Sequence, residues 1–214
     1  MTLLVDRLHY PVTALGPGHR LGIWLQGCTI GCAGCLSRDT WDHDAIEPSS
    51  VEKVLAAVAK LCPDGVDGVT ISGGEPFEQA DGLAALVAGL RTWGAACGRE
   101  VDILIYSGRP LRVLIEQHPG VLAMLDALIP EPYVAGFPPT GPWHGSGNQP
   151  LVLLSALGRQ RFDLARVSGH PRIQVAVTDG TLWMIGIPRP GDLERLHAAV
   201  AARGVLLEEL SWRH

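Results

Sequence analysis

Three cysteines within eight residues, Cys28, Cys32 and Cys35 in the string CTIGCAGC, restrict what this chain can fold into more than any other feature. Thiols crowded this tightly are poor disulfide partners for one another. The total of five cysteines is odd, so an oxidising compartment is disfavoured. Three thiolates on one short loop can instead grip three corners of a 4Fe-4S cluster, leaving the fourth iron without a protein ligand. An open metal position marks chemistry rather than scaffolding. Taken alone, the same loop also suits three-quarters of a structural zinc site completed by His19 or His43.

The pattern around the loop sets its place in a fold. Residues 21–26 read as a strand feeding straight into the cysteines, which puts the thiols at a strand's carboxyl end. Ser49 with Glu52 has the form of a capping box for a helix ending near Leu61. Residues 69–72 form a short apolar strand that runs into Gly73, Gly74, Glu75 and Pro76. Apolar residues at helical spacing follow over 80–96, then a strand at 101–106 and a helix at 111–117. This alternation predicts an α/β fold with a parallel sheet and right-handed crossovers, and such folds gather their sites just beyond strand ends. The cysteine loop, the Gly-Gly-Glu-Pro turn and Tyr106-Ser107-Gly108 all lie there.

Beyond Gln149 the character changes. Residues 172–178 and 181–187 alternate as two strands around Asp179-Gly180, a hairpin signal, and 190–203 reads as a helix with Pro near its start and Gly204 at its end. With the apolar residues 205–207 as a last strand, the tail reads as a small ββαβ appendage, dividing the chain into a core of 1–150 and an extension of 151–214 packed on it. Cys62 and Cys97, near helix ends, read as small buried hydrophobes.

With 214 residues and 47% hydrophobic content the chain can bury a substantial core. Its net charge of −5 and scattered basic residues form no stripe that could neutralise phosphates, so nucleic acid is not an expected partner. No apolar run is long enough to span a membrane, and the first thirty residues lack the apolar stretch of a signal peptide. A soluble, cytoplasmic protein is expected.

The longer string GPGHRLGIWLQGCTIGCAGCLSRDTW and the Gly73 to Pro76 run together resemble the radical S-adenosylmethionine (SAM) superfamily. Within it the chain is most similar to the activating enzymes of glycyl-radical enzymes, in particular the activase of the anaerobic ribonucleoside-triphosphate reductase. Tyr10-Pro11-Val12 with Gly16 to Arg20 resembles that family's YPV…GPGxR opening, Thr40-Trp41 its Thr-Trp, Ser72 to Pro76 its SGG(D/E)P run, Tyr106-Ser107-Gly108 its aromatic-Thr-Gly, and Gly145 to Gln149 its GSxNQ element. The likeness covers roughly residues 9–150. Pro130-Glu131-Pro132-Tyr133 stands where the family has Asp-Gly-(Lys/Pro)-Phe, and His144 replaces an Arg.

The resemblance implies a partial, open (βα) barrel of radical SAM type, with Cys28, Cys32 and Cys35 as ligands of a 4Fe-4S cluster. It implies that Gly73, Gly74, Glu75 and Pro76 contact SAM, with Ser107, Asn148 and Gln149 on the same wall, while Gly16 to Gly18 shape the approach and Arg20 is either part of it or a solvated ion-pair partner. The implied activity is reductive cleavage of SAM to a 5′-deoxyadenosyl radical, fed by a flavodoxin- or ferredoxin-like electron donor and directed at a glycine of a large glycyl-radical enzyme. A small molecule or peptide is the alternative acceptor, and a non-catalytic iron-sulfur or zinc module the alternative in class. Arg166 to His170 faintly resembles the loop that carries the radical in glycyl-radical enzymes, a likeness best read as chance.

Overall fold

The apolar stretches on either side of the cysteine loop pair with one another to build the centre of the molecule. The computed structural model describes residues 1–163, 172–178 and 180–207. A short antiparallel pair, β1 (Thr2–Leu3) with β4 (Ser49–Ser50), flanks a six-stranded sheet. That sheet comprises β2 (Val5–Val12), β3 (Arg20–Leu25), β5 (Gly68–Gly73), β6 (Asp102–Tyr106), β7 (Ala127–Ile129) and β8 (Val152–Leu153), in the order β2-β3-β5-β6-β7-β8. The four middle strands run parallel, while β2 and β8 close the two edges antiparallel. The fold is therefore mixed α/β with a mostly parallel central sheet, and the sheet takes in residues beyond 150.

The two sheet faces are covered differently because side chains alternate along each strand. On one face Leu21, Ile23, Leu25, Val69, Ile71, Ile103 and Ile105 pack against α1 (Val51–Leu61) and α2 (Ala80–Ala96), joined by α3 (Leu111–Gln117) and α4 (Pro119–Leu122). α2 and α3 span the residues their apolar spacing predicts. The cap of α1 is a correction: Ser50, not Ser49, accepts the Lys53 N–H, because the helix begins at Val51 and Ser50 is the residue immediately before it. Cys62, which caps the other end of α1, is buried; Cys97 is half-buried.

The opposite face carries Arg20, Thr70 and Asp102 from three neighbouring strands. Arg20 is completely buried, which corrects the solvated alternative. Its Nη2 donates to Asp102 Oδ1 at 2.6 Å and to Val69 O, its Nε donates to Thr70 Oγ1, and Phe162 lies 5.4 Å from the guanidinium. Phe162, following α5 (Ala156–Arg161), belongs with Leu104, Ile129 and Trp143 to a second apolar cluster on this face.

Beyond β8 and α5, which the sequence pattern does not predict, the hairpin falls where it is predicted. β9 (Ile173–Thr178) and β10 (Thr181–Gly186) form an antiparallel hairpin, docked by Gln174, whose Oε1 accepts from Thr13 N and whose Nε2 donates to Pro11 O, and by Ile185, which packs with Val12, Leu15 and Trp24. Arg7 lies 4.2 Å over the Trp183 ring. The last helix, α6 (Asp192–Ala201), starts later than the sequence suggests because Gly191 takes a left-handed conformation at φ 85. Residues 205–207 are not a strand in the described structure, which corrects the final β of the appendage. Asp179 of the turn and the 166–170 stretch lie outside the described residues. Among the described residues no helix is long and apolar enough to cross a membrane.

Candidate cluster and cofactor site

The chain leaves β3 through Gly27 at φ 101, and the backbone immediately downstream is held from outside the cysteine loop. Gly27 N donates to Thr40 O at 2.8 Å and Cys28 N to Trp41 O at 3.0 Å, so the Thr-Trp pair serves the loop with its carbonyls. Gln26 Nε2 donates to Asp42 O at 2.7 Å, drawing the same return segment in. Gly31 and Gly34 turn the loop at positive φ, where a side chain would be strained. From the other side Glu78 accepts Thr29 N at 3.0 Å and Thr29 Oγ1 at 2.5 Å on one oxygen, and pairs with His43 Nε2 at 3.0 Å on the other. Burial pushes the Glu78 carboxyl up, but the Thr29 and His43 contacts outweigh it and hold it below its usual range.

All three cysteines are free and half-buried. Burial pushes the Cys28 and Cys32 thiols up, opposed at Cys28 by backbone N–H donors from Ile30 and Gly31 and at Cys32 by that of Tyr133. Amide donors aimed at cysteine sulfur are the contacts that stabilise cluster-bound thiolates, so the loop fits a 4Fe-4S group. Zinc fits less well. His43 is engaged by Glu78, His19 is exposed, and among the described residues no three His, Cys, Asp or Glu side chains are grouped to hold a metal ion. Corner ligands of a four-iron cluster stand farther apart than the ligands of one ion.

The Gly-Gly-Glu-Pro turn is laced to the residues just before Cys28. Gly74 N donates to Leu25 O at 2.7 Å and Glu75 N to Gly27 O at 2.8 Å. Gly73 sits at φ 100, and a Cβ on Gly73 or Gly74 would collide with Leu25 O or Gly27 O respectively. Both glycines are thus required by backbone contact with the cysteine strand, quite apart from any ligand. Gly74→Val is accordingly expected to weaken iron retention and SAM binding together; a folded variant that loses SAM affinity while keeping iron as tightly as wild type would show that the turn serves the ligand alone.

Glu75 and Ser107 meet inside the protein. The Glu75 carboxylate, 1% exposed, accepts from Ser107 Oγ at 2.9 Å, Gly108 N at 2.7 Å and Phe77 N at 3.0 Å. Burial pushes this carboxyl up against the pull of those donors and of Arg109. Ser107 Oγ also accepts from Arg109 N. The pair therefore ties the turn after β5 to the one after β6. Pro76 is buried and opens the short helical turn Pro76–Gln79 that carries Glu78.

Asn148 and Gln149 are bonded to the segment after β7: Asn148 Nδ2 donates to Pro132 O and Gln149 Nε2 to Glu131 O, each at 2.8 Å. His144 is buried, its Nδ1 3.1 Å from Thr140 Oγ1, and burial lowers its pKa. Sequence reasoning missed Glu78, which no motif singles out, and Asp102, whose partner Arg20 is 82 residues away.

The family described as 4Fe-4S single cluster domain matches residues 14–152, a span that holds every residue of this site. The chain is 27% identical to the anaerobic ribonucleoside-triphosphate reductase-activating protein of Enterobacteria phage T4 over 146 residues, 68% of this chain and 91% of that protein. It is 35% identical to pyruvate formate-lyase 1-activating enzyme of Escherichia coli (strain K12) over 91 residues, 41% of this chain and 34% of that one. Among solved structures, QueE from Escherichia coli is similar with a TM-score of 0.43 and 20% identity, over 61% of this chain and 71% of that chain.

Proposed function

This chain belongs to the 4Fe-4S single cluster domain family, and from that premise we propose that it is a radical SAM activase of glycyl-radical enzymes, of the anaerobic ribonucleotide reductase-activating type. Cys28, Cys32 and Cys35 hold a 4Fe-4S cluster. The backbone of Gly73 to Pro76 faces SAM, with Ser107 behind it. The observation that carries the reading is the single loop of three free thiols at the carboxyl end of β3, with backbone N–H groups turned to Cys28 and Cys32, bonded through Gly27 to the Gly-Gly-Glu-Pro turn. When bound, the reduced cluster and SAM supply a 5′-deoxyadenosyl radical.

The chain's own residues orient and enclose that chemistry. Three cysteines leave one iron position for a ligand that is not protein. The Glu75–Ser107 contact fixes the turn from behind, so that its backbone rather than its side chains meets the ligand. Glu78 fixes the start of the cysteine loop through Thr29. The parallel strands β3, β5, β6 and β7 are read as the strands of a partial, open radical SAM barrel, with residues 1–150 as its core and the tail as an extension packed beside it. A flavodoxin- or ferredoxin-like donor reduces the cluster, in the cytoplasm, and the acceptor is a glycine Cα of the partner enzyme.

One observation favours a second acceptor class, a small molecule or peptide. The Pro130 to Tyr133 stretch, where the chain departs from the activase pattern, runs into residues packed against the cysteine loop, with Ala135 beside Gly34. Anaerobic reconstitution followed by reduction tests the shared chemistry. SAM should yield methionine and 5′-deoxyadenosine, and addition of a glycyl-radical partner should give a protein-centred glycyl radical by electron paramagnetic resonance. Stoichiometric zinc without SAM turnover would reject both readings.

A further inference from the structure

A segment of irregular backbone is held in place by whatever accepts and donates to its N–H and C=O groups, and the strap after β7 is such a segment, buried at Pro130, half-buried at 131–133 and exposed at Val134 and Ala135. The strap 130–135 leaves β7 and crosses beside the cysteine loop. Its first bonds are to the segment after β6: Glu131, held at φ 83, donates its N–H to Arg109 O, and its carboxylate accepts from Leu111 N. Apart from Cys32, whose sulfur the Tyr133 N–H faces, the further side chains bonded to the strap backbone among the described residues belong to the Gly-Ser-Gly-Asn-Gln element. Gln149 donates to Glu131 O, Asn148 to Pro132 O, and Ser146 Oγ accepts from Val134 N at 3.1 Å.

The three side chains are also bonded to one another. Ser146 Oγ donates to Asn148 Oδ1 at 2.8 Å, and Gln149 Oε1 accepts from Ser146 N at 3.0 Å. Ser146 is fully buried. A Cβ on Gly145 would come within 2.6 Å of Gln149 Oε1, and one on Gly147 within 2.6 Å of Pro138 O, so the glycines make room for the same network. On its far side the strap meets the cysteine loop at Gly34, which lies between Cys32 and Cys35 at φ 77. A Cβ there would stand 3.2 Å from Ala135 Cβ and 3.6 Å from Tyr133 Cε1.

We propose that Ser146, Asn148 and Gln149 are positioning residues for the iron-sulfur cluster, clamping the strap 131–135 against the Gly34 turn and so fixing Cys32 and Cys35 from outside their loop. This rests on the reading that the loop carries a cluster. The Tyr133 N–H that faces Cys32 is delivered by the same clamp. Hydrogen bonds to cluster sulfurs and outer-shell support set the potential and the retention of such groups. Asn148 and Gln149 thereby act on metal, in place of the role on the SAM wall that the sequence suggests.

The test uses reconstituted protein, with Gln149→Leu removing both amide functions and Asn148→Asp replacing the donor to Pro132 O by a carboxylate oxygen that the carbonyl repels, while keeping an acceptor for Ser146. Iron release to a chelator is expected to quicken by about 10-fold, the lower end of what loss of an outer-shell partner costs. The midpoint potential, measured without SAM, should move to more negative values as a donor to sulfur is lost, with a changed reduced-cluster spectrum. SAM affinity should stay near wild type. Tenfold weaker SAM binding with unchanged iron release, potential and spectrum would overturn the proposal and make these residues SAM ligands. If Gln149→Leu does not fold, Asn148→Asp decides on the same readouts. Wild type that takes up no cluster overturns both the functional reading and this one; a normal wild-type cluster with indistinguishable variants overturns this one alone.

Discussion

Alanine at any one of Cys28, Cys32 or Cys35 is expected to reduce SAM cleavage to the uncatalysed background, while Cys62→Ala and Cys97→Ala leave it near wild type. On the proposed reading each of the three supplies one corner of the cluster, and the loop holds no further thiol to replace it. Cys62 is a poor substitute on chemical grounds as well. It is 1% exposed at the end of α1, and burial followed by its neighbour Cys97 pushes its thiol up to about 11, so it stays protonated where cluster ligands must be thiolates. Iron content and 5′-deoxyadenosine yield, measured on the same preparations, check this. Cleavage surviving in Cys32→Ala at more than a trace would remove the basis of the site.

The second large effect is on stability. Arg20→Met should lower the unfolding free energy by about 3–5 kcal/mol, the usual cost of leaving a buried ion without its partner. Asp102 would be stranded at 1% side-chain exposure, with Oδ1 robbed of its donor and Oδ2 already unpartnered. The double variant Arg20→Met with Asp102→Leu removes both charges and should recover most of the loss, because well-packed apolar replacements of buried pairs are often neutral. Denaturant midpoints of the single and double variants decide the matter. A double variant no more stable than the single one would show that shape, not charge, governs this spot.

Much of the fold was legible because periodicity is a local signal. α2, α3 and the hairpin strands follow from spacing alone, and the parallel order of β3, β5 and β6 from the alternation of strands with helices. What escaped the sequence depends on partners far along the chain. Ser49 and Ser50 are chemically identical as caps, and only the turn at which the chain leaves its pairing with Thr2–Leu3 to start the helix at Val51 assigns the cap to the second. Arg20 reads either as part of the approach to the site or as a solvated ion-pair partner until Asp102 is seen beside it, since charged side chains are rarely buried unpaired. Residues 205–207 have the apolarity of a strand but pair with no strand among the described residues, and the Val205 N–H instead donates back to Val200 O.

The site divides in the same way. The three cysteines and the Gly-Gly-Glu-Pro turn announce themselves by spacing, whereas the inward aim of Glu75 and Ser107 depends on two turns from separate strands meeting. Asn148 and Gln149 were visible as a motif, but their bonds to Glu131 and Pro132 were not, because a motif names residues and not what they touch.

Gly27 receives the Glu75 N–H on its carbonyl and gives its own N–H to Thr40, with Cys28 the next residue along. A ligand that settles on the Gly-Gly turn and a metal that draws on Cys28 thus act on one shared peptide. Any free energy with which one ordains the position of that peptide is free energy the other no longer has to supply, and thermodynamic reciprocity makes the benefit equal in both directions. Affinity for the small molecule therefore becomes a gauge of the metal's state, readable at equilibrium without turnover.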